Sequence, residues 1–147
     1  MSDLRRILLV DDSVNDVKLM ISALRGAGLA NPIETCRDGA EALDYLFRRG
    51  LHAGRSDATC PCVVLLDLKM PKVDGLEVLA QIRQDPHFKT LPVVMITSSA
   101  EEKDMLKSYK LGVNAYVVKP VTHDQFLEAI KNVGLFWAVV NRPSPEL

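Results

Sequence analysis

No apolar run in this 147-residue sequence approaches the roughly 20 residues that a membrane-spanning helix needs. The first run, Ile7-Leu8-Leu9-Val10, follows Arg5 and Arg6 but meets Asp11 and Asp12 at once, too soon for the core of a signal peptide. No membrane partner is expected, and a cytoplasmic protein is. Charge of one sign is also lacking. Eighteen basic and 19 acidic residues leave a net charge of −1, with the signs interspersed. A nucleic-acid-binding module needs a basic face for phosphates, so no nucleic-acid partner is expected, although a small local patch stays open. Cysteine is scarce. Cys36, Cys60 and Cys62 are odd in number, which suits a reducing compartment better than a disulfide scaffold. Cys60-Pro61-Cys62 hints at metal or redox chemistry, but no second cysteine pair or nearby histidine cluster completes a zinc site. These cysteines read as small residues beside a strand, with an intermolecular disulfide as the alternative. His52, His87 and His123 match no relay or metal spacing and read as surface residues. No Gly-x-x-x-x-Gly-Lys run follows any strand, which disfavours a nucleotide-binding loop.

What is present is ordinary in bulk: 48% hydrophobic and 25% charged, enough for one domain with a real core. The pattern alternates. Short apolar runs predict strands over 6–10, 33–36, 62–66, 93–96 and 115–118. Helical spacing predicts helices over 14–26, 40–49, 75–83 and 101–111, and a last one capped by Thr122 with Gln125 as its capping-box partner. Residues 50–61 form a loop longer than the usual ~2–6 residues of such units, read as a surface insertion or a functional loop. Five alternations predict a doubly wound α/β fold, a five-stranded parallel sheet with helices on both faces. The domain is expected over 1–141, with 142–147 as a flexible tail.

The stretch Val63-Val64-Leu65-Leu66-Asp67 is a buried strand running straight into a carboxylate. In a parallel sheet every strand's carboxyl end lies on one edge, where ligands bind. Asp11 and Asp12 follow the first strand, Asp67 the third, Thr97 the fourth and Lys119 the fifth, so one cleft should gather them. Crowded carboxylates repel and call for a counter-charge. Hard oxygen ligands few in number, including backbone carbonyls just after Asp67, suit Mg²⁺. Lys119 adds a fixed positive charge and Thr97 a hydroxyl donor. The set is suited to phosphoryl transfer, with Asp67 as a carboxylate nucleophile.

The sequence resembles response-regulator receiver domains of two-component signalling. The likeness runs from about Ile7 to Val140 and rests on Leu8-Leu9-Val10-Asp11-Asp12, Asp67-x-x-x-Pro71-x-x-x-Gly75, Thr97-Ser98 and Tyr116-Val117-Val118-Lys119-Pro120. It implies a flavodoxin-like (βα)5 fold of strand order 2-1-3-4-5. It implies Asp67 as phospho-acceptor and a Mg²⁺ (or Mn²⁺) cofactor held by Asp12, Asp67 and the Lys69 main-chain carbonyl, with Asp11 acting through water. Thr97 and Lys119 match the phosphoryl-binding pair, Thr97 and Tyr116 the conformational switch, and Lys119–Pro120 a bond that is usually cis. The donor would be a phosphohistidine of a sensor histidine kinase.

The long loop, Asp44-Tyr45-Leu46-Phe47-Arg48-Arg49-Gly50 and Gly134-Leu135-Phe136-Trp137 further resemble stand-alone regulators that work with phytochrome-type kinases, a bacteriophytochrome among them. A homodimer through the fourth helix, fifth strand and last helix is then expected, with Met105 and Tyr109 as contacts. Phe136 and Trp137 are either core residues or dimer contacts. An aspartate-nucleophile phosphatase is the enzyme alternative, but that class has a second acid two residues after the nucleophile, where this chain has Lys69. A receiver-like module that no longer accepts phosphate is the third. No output domain is expected after Pro143, so the signal would pass by protein contact rather than by an enzyme activity.

Overall fold

The computed structural model describes residues 5–26, 28–54, 60–119, 122, 124–126 and 128. Its strands are β1 (Ile7–Val10), β2 (Ile33–Cys36), β3 (Val63–Leu66), β4 (Val93–Thr97) and β5 (Ala115–Val118). Its α-helices are α1 (Val14–Gly26), α2 (Gly39–Phe47), α3 (Gly75–Gln84) and α4 (Glu102–Lys110). The strands form one sheet of order β2-β1-β3-β4-β5, every pair parallel. Parallel neighbours need crossover connections, and helices supply them.

The sheet explains the apolar runs. Every residue of β1, β3 and β4 is buried, as strands covered on both faces must be. The edge strands β2 and β5 are only partly buried. Alternate residues feed two cores. Leu8, Val10, Val64, Leu66, Val93 and Met95 meet α2 and α3 through Leu43, Leu46, Val78 and Ile82. Ile7, Leu9, Val63, Leu65, Val94 and Ile96 meet Met20, Ala23 and Leu24 of α1, and Phe126. Burying each such side chain contributes about 1.5–3 kcal/mol, so the layered core dominates the fold's stability.

The helix ends follow local chemistry. Asp38 caps α2 and Asp74 caps α3, each accepting from the backbone N–H three residues on. Thr122 and Gln125 exchange the expected capping-box bonds, both 3.1 Å, ahead of the helical residues 124–126. Gly28 (φ 84°) and Gly112 (φ 93°) take the left-handed conformation where α1 and α4 give way to loops.

Several boundaries differ from the sequence reading. The second helix stops at Phe47 rather than 49, because Arg48 turns left-handed (φ 54°) and its N–H bonds back to Asp44. The fourth helix is one residue shorter at each end, and β4 runs on to include Thr97. The start of the long loop is also more than an insertion. It forms a 3-10 turn, Gly50–His52, and the half-buried His52 ring packs edge-on at 5.2 Å against Tyr45, which is 1% exposed. His52 is therefore a packing residue, not a surface one, whereas His87 is exposed as expected.

The cysteines do not form a pair. Cys60 packs against the core under α2 and α3, while Cys62 lies in the core under α1. Arg5 fixes the backbone between them, its guanidinium donating to the Cys60 and Pro61 carbonyls at 3.1 and 2.8 Å. No described helix is long and apolar enough to cross a membrane. Pro120, His123, Phe136, Trp137 and the tail 142–147 lie outside the described residues.

Candidate functional site

The sheet's hydrogen-bond ladder continues just beyond the strand ends, and that fixes the backbone of the site. Asp11 N–H donates to Cys36 O (3.0 Å), Asp67 N–H to Val10 O (2.9 Å) and Lys119 N–H to Thr97 O (2.8 Å). Asp11, Asp67, Thr97 and Lys119 therefore stand on one edge, as the strand pattern predicts. Gly75 lets the chain close beneath them. A Cβ there would run into the Asp67 carbonyl oxygen and lie 2.8 Å from Leu68 Cα, and the Gly75 N–H bonds to Leu68 O at 2.8 Å.

Lys119 is the hub. Its Nζ lies 2.7 Å from Asp11 Oδ2, 2.8 Å from Asp16 Oδ2 and 3.4 Å from Asp67 Oδ2, with the side chain 12% exposed. Asp11 and Asp67 share one habit. Each turns its Oδ1 to a backbone N–H two residues on, Ser13 at 2.9 Å and Lys69 at 3.3 Å, and its Oδ2 to Lys119. Asp16 was missed by the sequence reading. It sits in the first turn of α1, where an acid usually answers the helix dipole, and Ser13 Oγ caps its N–H at 3.3 Å.

These contacts set the charges. Burial pulls the Lys119 ammonium down, but its bonds to Asp11 and Asp16 and the field of Asp11 and Asp67 win, leaving it well above the ordinary lysine value. Burial pushes the Asp11 carboxyl up, and nearby Asp67 adds to that, against the Lys119 and Ser13 bonds. The Lys119 bond holds Asp16 below the usual carboxylate range.

The arrangement fits a divalent cation. Asp11, Asp12 and Asp67 each offer an oxygen, and these lie within 4.8 Å of one another. Two unit charges that far apart repel by about 3 kcal/mol at an effective dielectric of ~20. The Lys119 ammonium faces three carboxylates and Asp12 adds a fourth to the cluster, so charge is left over for a cation. The donors are all hard oxygens, the chemistry that Mg²⁺ and Mn²⁺ take. Asp12 is exposed, whereas Asp11 and Asp67 are 4% and 6% exposed.

The expected switch residues lie beside this cluster. Thr97 is fully buried and its Oγ1 accepts from Ser99 N–H at 3.3 Å. Tyr116 is half-buried, and its hydroxyl donates to Ser99 O at 2.8 Å. Burial raises the Tyr116 phenol above its ordinary value, partly offset by the Ser99 side chain. Of the expected contact residues, Tyr109 is 50% exposed and Met105 half-buried; Leu106, which the sequence did not single out, is 53% exposed on the same helix.

The family model for the response regulator receiver domain matches residues 7–131. The chain belongs to the response regulator receiver domain family. Members of this family are signalling proteins, phosphorylation on aspartate is typical of them, and they bind Mg²⁺ or Mn²⁺. This receiver domain is 37% identical over 131 residues to response regulator Rcp1 of Synechocystis sp., covering 89% of this chain and 87% of that one. The Mn²⁺-bound structure of Rcp1 superposes with a TM-score of 0.78 at 35% identity, over 95% and 97% of the two chains. Bacteriophytochrome response regulator RtBRR is 54% identical, with a TM-score of 0.83 over 97% of this chain and 85% of that one. Phosphorylated RcpA, a cyanobacterial phytochrome response regulator, is 40% identical, with a TM-score of 0.78 over 91% and 94% of the two chains.

Proposed function

We propose that this receiver domain accepts a phosphoryl group on Asp67 from a phosphohistidine of a sensor histidine kinase, and that its own residues catalyse the transfer. The observation that carries the reading is the Lys119 ammonium reaching Asp67 and Asp11 together. An Asp67 carboxylate oxygen attacks phosphorus, the P–N bond to the donor imidazole breaks, and that nitrogen regains a proton from solvent. Negative charge gathers on the phosphoryl oxygens. Lys119 meets it with its ammonium and Thr97 with its hydroxyl. Asp12, Asp67 and the Lys69 carbonyl would hold the Mg²⁺ or Mn²⁺, with Asp11 acting through water. The bound cation supplies positive charge to the phosphoryl oxygens. Hydrolysis of the acyl phosphate, with water attacking phosphorus, resets the domain.

The signal is a population shift. The added charge draws Thr97 inward, and Tyr116, now tethered to Ser99, follows into the space. The surface of α4, β5 and the last helix changes with it. Exposed Tyr109, with Met105 beside it, is the described part of a homodimer contact there; Phe136 and Trp137 would complete it. The likeness to RtBRR and RcpA favours a bacteriophytochrome-type kinase as donor and the cytoplasm as the place.

The test is incubation of the full chain with acetyl phosphate and Mg²⁺, followed by intact mass and sizing. A single phosphate adduct, absent in Asp67→Asn, with a larger species on phosphorylation, is the expected result. An adduct that survives Asp67→Asn, or none in the parent chain, refutes the reading.

A further inference from the structure

One buried acid has no part in the site so far described. Asp104, in the first turn of α4, is 4% exposed, although its neighbours Glu102 and Lys103 face solvent. Its Oδ2 accepts a 2.6 Å bond from the Ser99 hydroxyl and lies 3.4 Å from Lys69 Nζ. One turn on, the Ser108 hydroxyl donates to the Asp104 carbonyl at 2.9 Å, which anchors the backbone. A carboxylate withdrawn from water must be paired and hydrogen-bonded, and this one is.

One partner of Asp104 leads back to Asp67, the other to the expected switch. Lys69 donates its backbone N–H to Asp67 Oδ1 at 3.3 Å, and its side chain, still 56% exposed, reaches the buried acid with its ammonium. Ser99 donates its N–H to Thr97 Oγ1 and receives the Tyr116 hydroxyl. Asp104 therefore joins two arms of contacts, from Asp67 through Lys69 to α4, and from α4 through Ser99 to Thr97 and Tyr116. The far side of the same loop is fastened too: Lys72 Nζ lies 3.5 Å from Asp38 Oδ2, at the start of α2. The loop after β3 is held between two helix N-termini, and among the described residues it is the α4 side that touches the expected switch.

We propose that Asp104 is a positioning residue that couples the Asp67 site to α4, holding through Lys69 the loop that bears the expected metal-binding carbonyl and through Ser99 the segment between Thr97 and α4. This rests on the reading of Asp12, Asp67 and Lys69 as the metal site. Coupling is reciprocal: if cation binding is felt at α4, then loosening α4 from the loop weakens cation binding by the same factor.

The experiment compares the full chain with Asp104→Asn and Lys69→Met. Asparagine keeps an acceptor for Ser99 but loses the charge for Lys69; methionine keeps the backbone carbonyl of residue 69 and loses the ammonium. Mn²⁺ affinity is read by electron paramagnetic resonance, and amide exchange over residues 99–110 is read with and without Mn²⁺. Both variants should bind Mn²⁺ roughly three- to fivefold more weakly and lose the Mn²⁺-dependent change in exchange that the parent shows. The direction discriminates. A field effect alone would weaken binding in Asp104→Asn but strengthen it in Lys69→Met, and that pair of results overturns the proposal. Unchanged Mn²⁺ affinity in either variant, even with faster exchange, also overturns it, because Asp104 would then only stabilise α4. A parent chain that binds no Mn²⁺ refutes the metal-site reading itself, which is a different and recognisable outcome.

Discussion

Replacing Lys119 by glutamine takes the one ammonium away from three carboxylates. Its Nζ lies 2.7, 2.8 and 3.4 Å from Asp11, Asp16 and Asp67, and its side chain is 12% exposed. Removing one partner of a buried ion pair costs about 3–5 kcal/mol. Asp16 is 41% exposed by side chain and screened by water, so its share is small. The low end, about 3 kcal/mol at pH 7, is the expected loss. With a urea m-value of ~2 kcal/mol/M, that is a fall of about 1.5 M in the unfolding midpoint.

The pH dependence has a fixed sign. Asp11 is raised in the folded protein by burial, so its favourable contribution is complete below the unfolded value of 3.8 and is lost as pH rises through the folded value. Without Lys119 that folded value climbs further and more stability is lost on the way to neutrality. The gap between parent and variant is therefore widest near pH 7 and narrows on acidification. Added Mn²⁺ narrows it as well, because a cation bound only to the folded state restores counter-charge. Urea unfolding in chelator at pH 7 and pH 5, and again with Mn²⁺, is the assay. A variant as stable as the parent at pH 7, or a gap that widens in acid, refutes the reasoning.

Two further outcomes follow from the packing. Gly75→Ala forces the backbone under Asp67 to move and should cost about 1–3 kcal/mol in urea unfolding, with slower phosphorylation by acetyl phosphate. Burial raises all three thiols, Cys62 to about 11, so iodoacetamide at pH 7.5 should label Cys36 and Cys62 only after unfolding, with the half-buried Cys60 reacting slowly; no disulfide should form between Cys60 and Cys62, which point into different cores.

The parallel sheet and the edge that carries the site were legible because the strands are short, largely apolar runs; the strand order came through the likeness to receiver domains. Where such a run stops, the next residue leaves the core, and in β1, β3 and β5 that residue is Asp11, Asp67 or Lys119. Periodicity says nothing about where a charged side chain finds its partner. Asp16 and Asp104 both sit in first turns of helices, where an acid is usual for local reasons, and only contacts across the fold turn one to Lys119 and bury the other under Ser99. Tyr45 and His52 were hidden for a like reason: their ring contact exists because Arg48 turns left-handed and brings the loop back, and an Arg-Arg-Gly sequence does not announce that turn. Leu106 reads as one more apolar residue of a helix, and only the folded chain shows it to be exposed.

The most direct test of the central claim is chemical. An aspartyl phosphate is reduced by borohydride to homoserine, whereas a free carboxylate is not. The full chain, treated with acetyl phosphate and Mg²⁺, reduced and mapped by peptide mass spectrometry, should carry homoserine at position 67. Homoserine at position 11, 12 or 16, or at none, would contradict the account.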